Sequence, residues 1–318
     1  MRVLIAGKNE LAVALFEALA EADIELGFVT CSGEATDGKR EALKLSLEAA
    51  GLQPLNSDHT HRELLRVVHD WQPDVLLSAG FDKIIKPEVI AAVPHVLNVH
   101  FGDLPRYRGS YSIPWAILNR DASIGVTLHC VDPGIDSGAI YAQRHILNDP
   151  GESARELYDS CVDLGVKMVE EWLYQLGTGH PPTPVPQNEV EATYYPLEFP
   201  GHYRIEWQQT VRWVYDYIRA CSFAPYPGAH SSLCGVEVEI EFPVSFELAT
   251  VTAPPGTIVD VAGRAAVTTL NGVIVPRKVV VGGQGCDLTP RDFTAWVIEK
   301  ELHGERLGVA ATAVVSSP

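Results

Sequence analysis

A chain of 318 residues, 46% of them apolar, is long enough for one large or two ordinary domains with real cores. Its 41 acidic and 24 basic side chains leave a formal net charge of −17. A wide nucleic-acid surface is therefore disfavoured, because phosphate is held mainly by lysine and arginine. The six cysteines, at 31, 130, 161, 221, 234 and 286, form no close pair and no Cys-x-x-Cys, so neither a disulfide framework nor a zinc cage is indicated.

The chain opens as strand, turn and helix. "RVLIAG" is a short apolar run, and "NELAVALFEALAEA" has helical spacing with Asn9 available as its cap. Gly7 to Glu10 interrupts the apolar start, so neither a signal peptide nor a membrane span fits, and a cytoplasmic protein is expected. "AGKNEL" lacks the Gly-x-Gly-x-x-Gly spacing of a dinucleotide site, which argues against a Rossmann oxidoreductase. "LGFVT", the helical "KREALKLSLEAAG" and "HRELLRVVHDW", and the strands "DVLLSAG" and "VLNVH" continue the rhythm. Alternating helices and strands predict an α/β fold with a Rossmann-like, mostly parallel sheet. "HTH" at His59 to His61 lacks a third nearby metal ligand and is read as a surface or capping feature, so no metal is expected.

"VLNVH" is followed by "FGDLPRYRG". Side chains of a strand alternate with period two, so Asn98 and His100 leave the same face as the strand ends. Open α/β sheets bind ligands at that edge. After a helix around "IPWAILN", the runs "SIGVTLHCVD" and "GAIYAQRHIL" predict an antiparallel addition at the sheet edge. His129, in an apolar strand, is read as a core histidine. The turn between the runs, "DPGIDSGAI", carries Asp132 and Asp136; turn chemistry alone would account for its Asp, Pro and Gly content. An amide, an imidazole and a carboxylate converging in one cleft would activate an amine and hold the oxyanion of a tetrahedral intermediate.

A long helix, "SARELYDSCVDLGVKMVEEWLYQL", precedes a proline-rich stretch without periodicity, which reads as a linker. The expected domains are residues 1–180, a linker over 181–203, and 204–318. The last begins with a helical "WQQTVRWVYDYIRAC" and continues as short punctuated strands, which predict a smaller OB-like β-barrel.

"NVHFGDLPRYRG" followed by "SIGVTLHCVDPGIDSGAIYAQ" resembles the signature of formyltransferases that use 10-formyltetrahydrofolate, commonly Asn-x-His-x-Ser-Leu-Leu-Pro-x-Tyr-Arg-Gly with a downstream Asp-Ser/Thr-Gly. The likeness spans most of residues 1–175. "IEWQQTVRWVYDYIRA", "PYPGAHSSLCG" and "PPGTIVDV" follow the order of the C-terminal domain found on methionyl-tRNA formyltransferases and related sugar enzymes. By position, the resemblance implies Asn98, His100 and Asp136 as the catalytic trio. Asn98 would donate to the developing oxyanion, His100 would take a proton from the attacking amine, and Asp136 would favour the imidazolium. For the folate it points to Phe81, Ile84 and Ile85 as an apolar wall, and to the turn with Asp132, Gly134 and Asp136. Plain core packing is the competing reading of Ile84 and Ile85. Gly102 and Asp103 depart from the usual Ser-Leu beside the acceptor, which bears on acceptor identity rather than reaction type.

The acidic balance and the look of "AGKNELAV", "FDKIIKPEVI" and "YSIPWAILN" favour the amino-sugar N-formyltransferases acting on nucleotide-linked sugars. The alternatives are an initiator-tRNA enzyme, formylation of an amino-acid or antibiotic precursor, and a folate- or nucleotide-sugar-binding module without turnover. For a sugar nucleotide, Asn9, Arg106, Arg108, Tyr111 and Trp115 are the expected contacts, the arginines on diphosphate and the aromatics on sugar or base. Neither nucleic acid nor membrane is an expected partner, and the family likeness is compatible with a homodimer.

Overall fold

The computed structural model describes residues 1–31, 55–57, 61–81, 83–224, 226–233, 236–282 and 289–308. Two compact units are formed. The first gathers Met1–Ser112, Ala122–Leu147 and Tyr158–Tyr195; the second gathers Ile113–Asp121, Asn148–Leu157 and Pro196–Pro318.

The first unit holds a seven-stranded sheet: β1 (Arg2–Gly7), β2 (Glu25–Cys31), β3 (Leu55–Ser57), β4 (Val75–Ala79), β5 (His95–His100), β7 (Ser123–Cys130) and β8 (Ile140–Leu147), in the order β3-β2-β1-β4-β5-β7-β8. The short β6 (Arg108–Gly109) pairs elsewhere, with β9 (Tyr194–Tyr195). β1 to β5 run parallel, and β7 and β8 are antiparallel additions at the edge, as the paired β-rich runs predict. β1 and β4 are buried almost end to end, the pattern of strands covered on both faces.

Period-two alternation sorts the faces. Leu4, Ala6, Leu76 and Val96 join Leu64, Val67 and Val68 of α2 (His61–Trp71) and Val89 of α3 (Pro87–Ala92) in one core cluster. Each such valine or leucine contributes about 1.5–3 kcal/mol when fully buried. On the opposite face, Phe16 of α1 (Glu10–Ala20) meets Phe28 edge-on at 6.3 Å. His95 and Phe101 there meet Trp172 and Tyr158 of α5 (Ala154–Gly177) at 5.3 and 5.2 Å. Asn98 and His100 continue the parity of Val96, so they end the strand on the α2/α3 side. Asn9 caps α1, accepting from the Ala12 N–H.

The expected linker is only partly one. Val185 and Ile140 exchange backbone hydrogen bonds at 2.8 Å, β9 pairs with β6, and residues through Tyr195 belong to the first unit. Proline content removes periodicity from this stretch, yet its hydrogen bonds go to loops distant in sequence, which periodicity cannot register.

The second unit carries a six-stranded antiparallel sheet: β10 (Ala229–Leu233), β11 (Val236–Leu248), β14 (Gly272–Gly282), β13 (Arg264–Thr268) and β12 (Ile258–Val261) in that order, with β15 (Thr289–Asp292) on β14. It is all antiparallel, in keeping with the punctuated strands. α6 (Val211–Cys221) lays Tyr215 against Phe242 and Phe246 of β11 at 5.8 and 5.0 Å. α4 (Ser112–Leu118) lies where "IPWAILN" predicts a helix, and α7 (Phe293–Glu299) closes the described elements. No helix among the described residues is long and apolar enough to cross a membrane. The helix expected over "KREALKLSLEAAG" and the His59–His61 motif fall outside the described residues and side chains.

Candidate active site

His100 is buried, 8% exposed, at the carboxyl end of β5. Its Nε2 lies 2.7 Å from the backbone oxygen of Tyr107. A carbonyl only accepts, so Nε2 carries the proton and Nδ1 is the atom that changes charge. Nδ1 stands 3.6 Å from Asp136 Oδ2. That separation is too long for a hydrogen bond, and it sets the carboxylate beside the ring. The same Oδ2 accepts from the Gly109 N–H at 2.9 Å, which ties the Asp136 turn to the loop after β5. Gly109 has φ +94°, and a Cβ there would run into the Tyr195 carbonyl, so only glycine fits. Gly102 packs just as closely: a Cβ would lie 2.5 Å from His100 Nε2.

His129, expected to be core, is buried at 2% exposure and also borders this cluster. β5 and β7 pair so that His129 lies opposite Asn98 and Thr127 opposite His100. Its Nδ1 donates to the Cys130 carbonyl at 2.7 Å, and its Nε2 lies 3.1 Å from Asn98 Nδ2. Burial, opposed by the Asp136 carboxylate, pushes the His129 imidazole down to about 4. The ring is thus neutral near pH 7 with its lone pair on Nε2, which accepts from the Asn98 amide and fixes which way that amide faces. Nε2 is also 3.7 Å from Asp136 Oδ1. Asn98, His100, Asp136 and His129 therefore form one cluster.

The other expected contacts divide. Arg108 is fully buried, and its five N–H groups are spent on Gln187, Glu189 and Tyr194 at 2.7–3.1 Å. Glu189 foremost drives its guanidinium well above the usual arginine range. It is therefore committed to the protein rather than presented to a diphosphate, which corrects the sequence reading. Arg106 is half-exposed, with its guanidinium 3.7 Å from Asp103, whose carboxylate also accepts from His145 at 2.9 Å. Ile85 is core, in the cluster with Leu76 and Val96, whereas Ile84 is 63% exposed. Phe81 and Val131 border that same cluster, so the loop after β4 and the turn after β7 meet on one apolar patch. Asp132 Oδ1 accepts from the Gly134 N–H and the Ser137 hydroxyl, so this carboxylate and that N–H serve the turn. The Asn9 side chain lies over Gly80 at the carboxyl edge, where the sheet order reverses between β1 and β4. Tyr111 belongs to the first unit and Trp115 to the second. Among the described residues no group of three or more His, Cys, Asp or Glu is arranged to hold a metal ion.

Residues 1–173 match the model of the family described as "Formyl transferase", and residues 200–290 match "Formyl transferase, C-terminal domain". The chain belongs to the formyl transferase family. It is a transferase of one-carbon groups. The formyltransferase is 32% identical over 277 residues to the methionyl-tRNA formyltransferase of Roseiflexus castenholzii, covering 86% of this chain and 85% of that one. To the Synechococcus sp. methionyl-tRNA formyltransferase it is 28% identical over 310 residues, 91% of this chain and 94% of the other. Its fold resembles that of the N-formyltransferase from Helicobacter canadensis in complex with folinic acid and dTDP-3-aminofucose. There the TM-score is 0.68 at 20% identity, with 86% of this chain and 97% of that one covered.

His129, Gln187 and the carbonyl of Tyr107 escape a reading of the sequence because each acts across strands or loops. For His129 the available signal is its place three residues before Asp132, on a strand that pairs with β5.

Proposed function

We propose that this formyltransferase, in the cytoplasm, moves a formyl group from 10-formyltetrahydrofolate to the primary amine of a small acceptor, a nucleotide-linked amino sugar. The folate supplies the formyl carbon. The Asn98 amide, held by His129, donates to the formyl oxygen as negative charge grows there, and removing one such donor typically costs about 3 kcal/mol. His100 Nδ1 takes the proton that the amine loses as its nitrogen bonds to the formyl carbon, with Asp136 favouring the charged ring. The same proton then serves the folate nitrogen that leaves as its bond to that carbon breaks. The exposed Ile84 and the neighbouring Phe81 offer apolar surface for the folate ring. Asn9, Arg106 and Tyr111 are the proposed acceptor contacts.

The net charge of −17 carries the choice of a small acceptor, since binding of a tRNA backbone draws on lysine and arginine that this chain has few of. The Helicobacter canadensis N-formyltransferase is in complex with a sugar nucleotide of that class, dTDP-3-aminofucose. A second reading, methionyl-tRNA as acceptor, is favoured by the names of the relatives at 28% and 32% identity. The test is a turnover screen with 10-formyltetrahydrofolate against amino-sugar nucleotides, free aminoglycosides and charged initiator tRNA, following tetrahydrofolate release and product mass. Product from a nucleotide-linked amino sugar is expected. Formylated methionyl-tRNA as the only product would sink the small-acceptor reading.

A further inference from the structure

We propose that Gln187, in the proline-rich stretch after α5, is a positioning residue for formyl transfer: its side-chain amide clamps the Asp136 turn to the 107–110 loop, so that the carboxylate faces His100. The inference rests on the reading of His100 as the base.

Gln187 Nε2 donates to the carbonyls of Asp136 and Gly138, at 2.8 and 2.7 Å. Its Oε1 accepts from Nε and Nη2 of the buried Arg108, at 3.1 and 2.8 Å. One side chain thus bridges both loops that set the geometry around His100. The first loop receives the His100 Nε2 proton on Tyr107 and donates the Gly109 N–H to Asp136. The second carries Asp136 itself, whose φ of +50° is a left-handed conformation that a non-glycine residue keeps only when its surroundings impose it. The stretch around Gln187 is anchored to the same two loops. Val185 pairs with Ile140, the Tyr107 N–H donates to Thr193 Oγ1 at 2.9 Å, and the Ser110 N–H donates to the Tyr195 carbonyl at 3.0 Å. Tyr195 also stacks on Tyr107 with ring centres 5.1 Å apart. Glu189, two positions further on, pairs with Arg108.

His100 is faced by Asp136 from the turn after β7, and by the ring of His129 from β7 at 6.4 Å. His129 is neutral, so Asp136 supplies the facing charge. If the clamp is loosened, the carboxylate withdraws and the imidazolium loses its partner.

Gln187→Met keeps the length of the side chain and removes both donors and the acceptor. The His100 ring signal is followed by NMR against pH in the wild type, Gln187→Met and Asp136→Asn. kcat and KM are measured with the acceptor that the wild type turns over, and Tm is recorded for each protein. The expected result is a His100 midpoint shifted to lower pH in Gln187→Met, in the direction of Asp136→Asn. With it, kcat falls on the order of tenfold, acceptor KM changes little and Tm stays within a few degrees. A wild-type midpoint in Gln187→Met, or an unchanged kcat, overturns the proposal. Should Gln187→Met fail to fold, Gln187→Asn, whose amide is one methylene too short to span both loops, is judged by the same two readings. The NMR titration needs no acceptor. A wild type inactive on every amino-sugar nucleotide therefore refutes the acceptor assignment while leaving the clamp to be decided by the midpoint.

Discussion

His129 is neutral near pH 7 because water is excluded from it and its Nδ1 proton is spent on a carbonyl, and this makes it a weak point in acid. Its folded-state pKa of about 4 lies below that of an exposed histidine, so the unfolded chain takes up a proton first as pH falls. Stability from this group is complete above about pH 6.5 and declines as pH drops toward about 4, by on the order of 3 kcal/mol. Urea unfolding at pH 7, 5.5 and 4 should show that slope in the wild type and a shallower one in His129→Gln; parallel slopes would refute it. Gly102 makes the second residue-scale prediction. A methyl there meets His100 Nε2, so Gly102→Ala must push the ring off the Tyr107 carbonyl, and kcat should fall by about 10²-fold with Tm little changed. Near-normal turnover in Gly102→Ala would show that the ring pose is not critical. At this scale the places of Asn98 and His100 could be read from the period-two alternation of one strand. The role of His129 could not, because it depends on the register that sets it opposite Asn98 across β5 and β7.

Among the elements, α6 shows how a correct helix reading leaves the energetics unstated. Its periodicity is plain in "VRWVYDYIRAC", but the helix is buried nearly all round, and Asp216 and Arg219 go under with it. Arg219, 2% exposed, donates to the carbonyls of Asp149 and Glu152 and to Asn148 Oδ1, while Asp216 draws Arg120 and Arg212 at 3.1 and 3.0 Å. These bonds account for residues 113–121 and 148–157 belonging to the second unit although they are early in sequence. Asp216→Ala leaves the buried Arg219 charge without its nearest counter-ion, 3.7 Å away, and should cost about 3–5 kcal/mol in urea unfolding. A loss under about 1 kcal/mol would mean the carbonyls alone satisfy that arginine. Arg108 teaches the same lesson. Its place in a Tyr-Arg-Gly loop reads as an exposed phosphate ligand until Gln187 and Glu189 arrive from some eighty positions along the chain.

For the whole molecule, composition and pattern went far. The alternation of helix and strand, the antiparallel pair at the sheet edge and the antiparallel β unit at the end are local signals, and each element reports its own period. The acidic balance likewise belongs to the sequence and needs no coordinates to argue for a small acceptor. Tertiary structure alone decided which residues meet. It turned the proline-rich stretch into a brace for the Asp136 turn and moved two early segments into the second unit. It buried Ile85 while leaving Ile84 exposed, and set a neutral histidine behind Asn98. The physical reason is that periodicity records which face a side chain takes, whereas partner choice depends on loop closure and strand register between residues distant in the chain.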